Sequence, residues 1–124
     1  MPYADTDFFL ALIKDTDWLK SAARRLLERY KGNIWTSVTT ITELLLLCDE
    51  YSLYPERVVI AAFGIAQVRA ISPETALAAS HYMSSEHLTP LDALHAAFCG
   101  DDHIISSDRD FTRIGLKRIS LDRN

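Results

Sequence analysis

No stretch of this 124-residue sequence approaches the ~18 consecutive apolar residues that a membrane-spanning helix requires. The best runs, residues 41–48 and 58–66, are far too short, so no membrane role is expected. The first nine positions, MPYADTDFF, hold two carboxylates and no basic side chain, unlike a secretory leader. Cysteine is scarce: Cys48 and Cys99 each lie in an apolar helical pattern, with no CxxC partner. That excludes a disulfide scaffold and suggests two buried free thiols in a reducing cytoplasm. Glycine is scarce too, and no GxxxxGK[ST], GxGxxG or GxSxG occurs among the four present. The absence of those loops counts against P-loop ATPases, dinucleotide enzymes and α/β-hydrolases. The four histidines, His81, His87, His95 and His103, form no HxxxH or Cys/His cluster, so a zinc site is not expected.

Positive charge is also in deficit. Seventeen acids face thirteen Lys and Arg, for a net charge of −4. Phosphate contacts normally need a basic face. Two basic clusters stand out, one at Arg24, Arg25, Arg29 and Lys31, the other at Arg109, Arg113, Lys117 and Arg118. Solvated helix faces explain such clusters most simply; of these residues, Arg109 and Arg113 are the candidate contacts for a phosphate backbone.

What is present is apolar content, 48% of the chain, ample for one core and too little chain for a second. Residues 1–124 are therefore expected to form a single domain. A very short strand is expected at residues 2–4, followed by a helix carrying Phe8, Phe9, Leu12 and Ile13. A second helix, punctuated by Asp15 and Asp17, brings Trp18, Leu19, Ala22, Leu26 and Leu27 to one face and runs to about Tyr30. A strand at residues 34–36 precedes a leucine-rich helix over 38–53, expected to be largely buried. Pro55 opens the next helix, and residues 68–71 are a third strand. Ser72 and Pro73 start a helix as N-cap and first helical residue, running to about Ser85. Thr89-Pro90 starts another, to Cys99. A fourth strand (103–106), a short helix (108–114) and a last strand (117–119) complete the order. Short strands alternating with crossover-length helices call for a parallel sheet covered on both faces.

In such a sheet, ligands bind outside the carboxyl ends of the strands, where helices begin. Asp5 and Asp7 follow the first strand, Glu43 lies early in the helix after the second, Asp92 is three residues past Thr89, and Asp108 and Asp110 follow the fourth strand. Each acid also has a plain structural explanation. Thr40-x-x-Glu43 and Thr89-x-x-Asp92 match the capping box, and Asp108 is an ordinary N-cap. Convergence is the argument for more. Carboxylates brought together without a cation repel each other, and a hard Mg²⁺ or Mn²⁺ relieves that repulsion through oxygen-only ligands. Such an ion can acidify a water and clamp a phosphoryl oxygen. His95 shares a helix face with Asp92 at i, i+3; it reads first as a packed or surface histidine and second as a support for the metal site.

Four blocks carry a resemblance to a known family. YADTDFFL at residues 3–10 resembles the opening of PIN domains, and TITELLLL around Glu43 resembles their second block. LTPLDALHAA at residues 88–97 is the most specific of the four, and IISSDRDF at residues 104–111 resembles the last. The resemblance covers essentially the whole chain. It implies a three-layer α/β/α fold with a short-stranded parallel sheet and Mg²⁺- or Mn²⁺-dependent ribonuclease activity. Asp5, Glu43, Asp92 and Asp108 would be the catalytic, metal-holding quartet, with Ser106 hydrogen-bonding near the metal. Compact members of this kind are toxins of type II toxin–antitoxin modules, the VapC type, which form homodimers and are held inactive by a small antitoxin. Asp7 replaces the family's usual Asn, and Asp110 adds a carboxylate near Asp108; either would join the metal shell or weaken phosphate binding. Two alternatives stay open: a catalytically silent PIN-like module that binds RNA or protein, and a haloacid-dehalogenase-like phosphatase built on Asp5-x-Asp7 and Gly100-Asp101-Asp102.

Overall fold

The structure is a computed structural model and describes residues 1–122. Five strands form one parallel sheet in the order β3-β2-β1-β4-β5: β1 (Tyr3–Ala4), β2 (Trp35–Ser37), β3 (Gln67–Arg69), β4 (Ile104–Ser106) and β5 (Arg118–Ser120). Successive side chains on a strand point to opposite faces, and the core divides accordingly. Ala4 and Ile105 join Phe8, Phe9, Leu44 and Val58 on one face. Their strand neighbours Tyr3 and Ile104 join Trp35, Ala93, Ala96 and Phe111 on the other. That alternation yields the expected three layers. Phe8, Phe9 and Phe111 are fully buried; truncating any one to Ala would cost ~3–5 kcal/mol.

Among the described residues seven helices connect and cover the strands: α1 (Thr6–Ile13), α2 (Lys20–Arg29), α3 (Val38–Leu47), α4 (Pro55–Ile65), α5 (Pro73–Glu86), α6 (Pro90–Cys99) and α7 (Asp110–Arg113). Local chemistry sets their starts. Ser72 accepts the Thr75 N–H at 3.2 Å with Pro73 in the first turn, as expected. At α3 the cap is Ser37, which accepts from Thr39 N, so Thr40 is inside the helix and no capping box involves Glu43. Thr40 instead takes a 2.7 Å hydrogen bond from Thr36.

Three expectations fail on α3 and α2. Helix α3 stops at Leu47 rather than 53, because the chain turns at residues 48–53: Leu53 N–H bonds Cys48 O at 2.9 Å and Ser52 adopts φ 54°. It is not largely buried either; Thr39, Thr40 and Leu44 are its buried residues, whereas Leu46 is 68% exposed. The four-leucine run wraps all round the helix, so only part of it can meet the core. Trp18 precedes α2 and is also exposed. Asp17 does open that segment, accepting from Leu19 N at 2.8 Å.

The strand order changes direction at the centre. Helical connections lead from β1 outward to β2 and β3, and the chain then returns to the other side of β1 as β4. The boundary between β1 and β4 is the switch point where loops diverge and a crevice opens at the strands' carboxyl ends.

Candidate metal centre

Asp5 is the first residue after β1 and the N-cap of α1, accepting from Thr6 N at 2.7 Å through Oδ1. Its Oδ2 accepts from the buried Ser106 hydroxyl at 2.7 Å across the switch point. The same Ser106 Oγ accepts the Asp108 N–H at 3.0 Å. One hydroxyl thus bridges the ends of β1 and β4 and fixes Asp5 against Asp108. Arg118 on β5 braces the arrangement, donating to Ser106 O at 3.0 Å and pairing with Asp122 at 2.8 Å. Expected as part of a solvated basic cluster, Arg118 keeps a side chain only 9% exposed.

Glu43 reaches the site from the second turn of α3. Its Oε1 accepts hydrogen bonds from the Thr6 hydroxyl and from His95 Nε2, the latter at 2.9 Å. His95 is fully buried, and its Nε2 also lies 3.3 Å from Asp5 Oδ1. The ligand atoms of Asp5, Glu43 and His95 all fall within 4.8 Å of one another. His95 is thus the packed histidine of the first reading and not a surface one, and it is packed among the acids. The i, i+3 relation to Asp92 was the signal for this, since one helix face delivers both.

The electrostatics tie in the remaining acids. Burial pushes the Asp5 carboxyl up, and the opposing pull of His95, Ser106 and Thr6 does not cancel it. Asp92 is raised by burial and then by the Asp108 and Asp5 charges. Burial would raise Glu43 as well, but its hydrogen bonds from His95 and Thr6 outweigh it and the carboxyl titrates low. For His95 burial acts to lower the ring; Asp5, Glu43 and Asp92 together overturn that and leave it raised. Thr89 makes no side-chain cap bond to the α6 N–H groups, so no capping box forms there; its hydroxyl acts to lower the Asp92 carboxyl.

Asp7 sits beside the Asp5–Glu43–His95 cluster rather than within it. Its Oδ2 accepts from Ser107 N at 2.8 Å and from the Ser107 hydroxyl, stapling the β1–α1 loop to the β4–α7 loop. Its Oδ1 is buried with no partner among the described residues, and burial followed by the Asp5 charge raises the carboxyl to about 7. Asp110 turns outward: it is exposed and pairs with Arg113 at 3.5 Å, giving only its N–H to Asp108 Oδ1. Arg109 pairs with Asp122 at 3.4 Å and Arg113 with Glu86 at 3.7 Å, both arginines remaining largely exposed.

A divalent cation fits this donor set. Asp92 feels the charges of Asp108 and Asp5, Asp5 feels that of Glu43, and Glu43 Oε2 has no hydrogen-bond partner among the described residues. Hard, oxygen-rich coordination suits Mg²⁺ or Mn²⁺.

The sequence profile of the PIN domain matches residues 3–117. The chain belongs to the PIN domain family. No match is found among curated protein sequences. Solved structures with the same fold include a toxin–antitoxin complex from Klebsiella pneumoniae, 18% identical with a TM-score of 0.79 over 100% of both chains. A second is the sarcin–ricin loop cleaving toxin VapC20 of Mycobacterium tuberculosis, 20% identical with a TM-score of 0.78 over 94% of this chain and 96% of that one. A third is FitAcB of Neisseria gonorrhoeae, 13% identical with a TM-score of 0.76 over 98% of each. Membership of this family removes the phosphatase alternative. Its supposed late motif also lies in the wrong place: Asp101 and Asp102 precede β4, at the opposite edge of the sheet from Asp5, and Asp102 accepts from Trp35 Nε1 at 2.8 Å.

Proposed function

We propose that this PIN domain is a divalent-metal-dependent endoribonuclease acting in the cytoplasm as the toxin of a toxin–antitoxin pair. The observation that carries the reading is the clustering of Asp5 and Glu43 with His95 beside the β1–β4 switch point, with Asp92 raised by the charges of Asp108 and Asp5. In this reading Asp5, Asp92, Asp108 and Glu43 hold Mg²⁺ or Mn²⁺. Held there, such an ion would supply positive charge for a phosphoryl oxygen and lower the pKa of a nearby water. Ser106 holds Asp5 in register with the Asp108 loop. Arg109 and Arg113 offer cationic side chains on the neighbouring surface, where an RNA backbone competes with their acidic partners.

Partners follow from two exposed apolar features. On α3 and α4, Leu46, Ile60 and Phe63 are 68%, 71% and 58% exposed. A solvent-facing apolar patch of that kind is suited to a two-fold homodimer. A separate groove of about 660 Å³ runs between the end of α1 and α4, lined by Leu12, Ile13, Tyr51, Tyr54, Val58 and Ile65. It lies away from the acids and is the proposed seat of an antitoxin segment. Likeness to toxin–antitoxin complexes supports this partner.

The test compares wild type with Asp92→Asn on structured RNA, with Mn²⁺ and with EDTA. Cleavage by wild type that EDTA abolishes and Asp92→Asn lacks is the expected result. Mn²⁺ at ~100 times its dissociation constant should also stabilise wild type by roughly 2.7 kcal/mol. An inactive wild type would leave the silent binding module in its place.

A further inference from the structure

We propose that His95 is a positioning residue for the metal-binding carboxylate of Glu43, aimed by a buried hydrogen-bond relay through Tyr3 and Ser37. The inference rests on the metal-dependent reading above and extends it to side chains outside the acidic quartet.

The relay runs through three elements. Ser37, the cap of α3, lies 2.8 Å from the Tyr3 hydroxyl on β1, and that hydroxyl lies 2.7 Å from His95 Nδ1 on α6. All three residues are buried. Tyr3 is itself fixed by edge contact with Trp35, ring centroids 4.8 Å apart, and by stacking on Phe98. Both ring nitrogens of His95 are thereby engaged, one by Tyr3 and the other by Glu43 Oε1. An ionised carboxylate only accepts, so the 2.9 Å contact requires a proton on Nε2. That holds for either proton arrangement. In the neutral ring Ser37 donates to Tyr3 and Tyr3 donates to Nδ1; in the charged ring the two hydroxyl bonds reverse and Nε2–H is unchanged.

The consequence for Glu43 is geometric. Thr6 and His95 both donate to Oε1, and among the described residues Oε2 has no hydrogen-bond partner. One carboxylate oxygen is anchored and the other stays available to a cation. Glu43 is more exposed than Asp5, its side chain at 24% against 11%, so it depends more on such anchoring to keep one rotamer. Because His95 follows Asp92 by one helical turn on α6, the same element delivers an acid and the support for another.

The experiment is calorimetric titration of the full chain with Mn²⁺, comparing wild type, His95→Leu, His95→Gln and Tyr3→Phe. Each substitution is repeated in a Glu43→Gln background. Outer-shell partners of metal ligands are worth ~10–100-fold in affinity, so His95→Leu should weaken Mn²⁺ binding at least tenfold. His95→Gln, which keeps a side-chain N–H, should recover most of it, and Tyr3→Phe should weaken binding by a smaller factor. In the Glu43→Gln background the His95 and Tyr3 substitutions should change affinity by no more than about twofold. Equal losses in both backgrounds would overturn the proposal, because His95 would then act on packing rather than through Glu43. Unchanged affinity in the singly substituted proteins would overturn it too. If His95→Leu does not fold, the Tyr3→Phe pair decides by the same criterion. A wild type that binds no Mn²⁺ refutes the metal-dependent function as well, which separates the two failures.

Discussion

Replacing Asp7 by asparagine should make this protein more stable above neutral pH and leave its stability nearly unchanged at pH 5. Asp7 Oδ2 already accepts two hydrogen bonds from Ser107, so the proton of the neutral acid belongs on Oδ1, the buried oxygen without a partner. Burial and then the Asp5 charge raise the folded-state carboxyl from 3.8 to about 7. An unfolded chain releases this proton near 3.8 and the folded one keeps it to about 7. Between those values the folded state binds more protons, so stability falls as pH rises. At ~1.4 kcal/mol per pH unit, the interval sets a ceiling of about 4 kcal/mol on what ionised Asp7 costs. Asparagine has the shape of the neutral acid but buries an amide N–H where Oδ1 stood, at ~1–3 kcal/mol if unpaired. The net gain expected at pH 8 is about 2 kcal/mol, shrinking to near zero at pH 5. Urea unfolding in EDTA at pH 5, 6, 7 and 8 measures it. Asp5 and Asp92 are raised in the same sense, so the variant should retain a shallower slope of the same sign. A stability difference that is the same at pH 5 and pH 8 would refute the reasoning.

Ser106→Ala removes the hydroxyl that bridges Asp5 and the Asp108 N–H. It should cost about 2–3 kcal/mol in urea unfolding, with Ser106→Thr close to wild type; a loss below ~0.5 kcal/mol would make the bridge incidental. Phe63→Glu places a charge in the exposed α4 patch and should turn a sedimenting dimer into a monomer, with melting in dilute solution little changed. A wild type that is already monomeric at micromolar concentration would remove the dimer surface.

The acids were legible because their placement depends on local patterns. An apolar strand followed by Asp, or a Pro-led helix with an acid in its first turn, can be found without knowing what packs where. Element order and the parallel three-layer arrangement followed from alternation and connection length in the same way. The helix ends that failed, at Leu47 and before Lys20, are set by turn conformations such as Ser52 in the left-handed region, which no periodicity encodes.

Burial and polar pairing belonged to the tertiary structure alone. A four-leucine run predicts a buried helix, but a single helix offers the core only one stripe, so Leu45 and Leu46 stay in solvent. Asp7 and Asp110 looked alike as extra carboxylates; packing turns one inward onto Ser107 and the other outward to Arg113. His95 shows the limit most clearly. Its spacing from Asp92 fixed the face it shares, but its partners Tyr3 and Glu43 lie 92 and 52 residues away in sequence. A hydrogen bond acts only over about 3 Å, and contacts between residues so distant along the chain exist only once the sheet has brought its strand ends together.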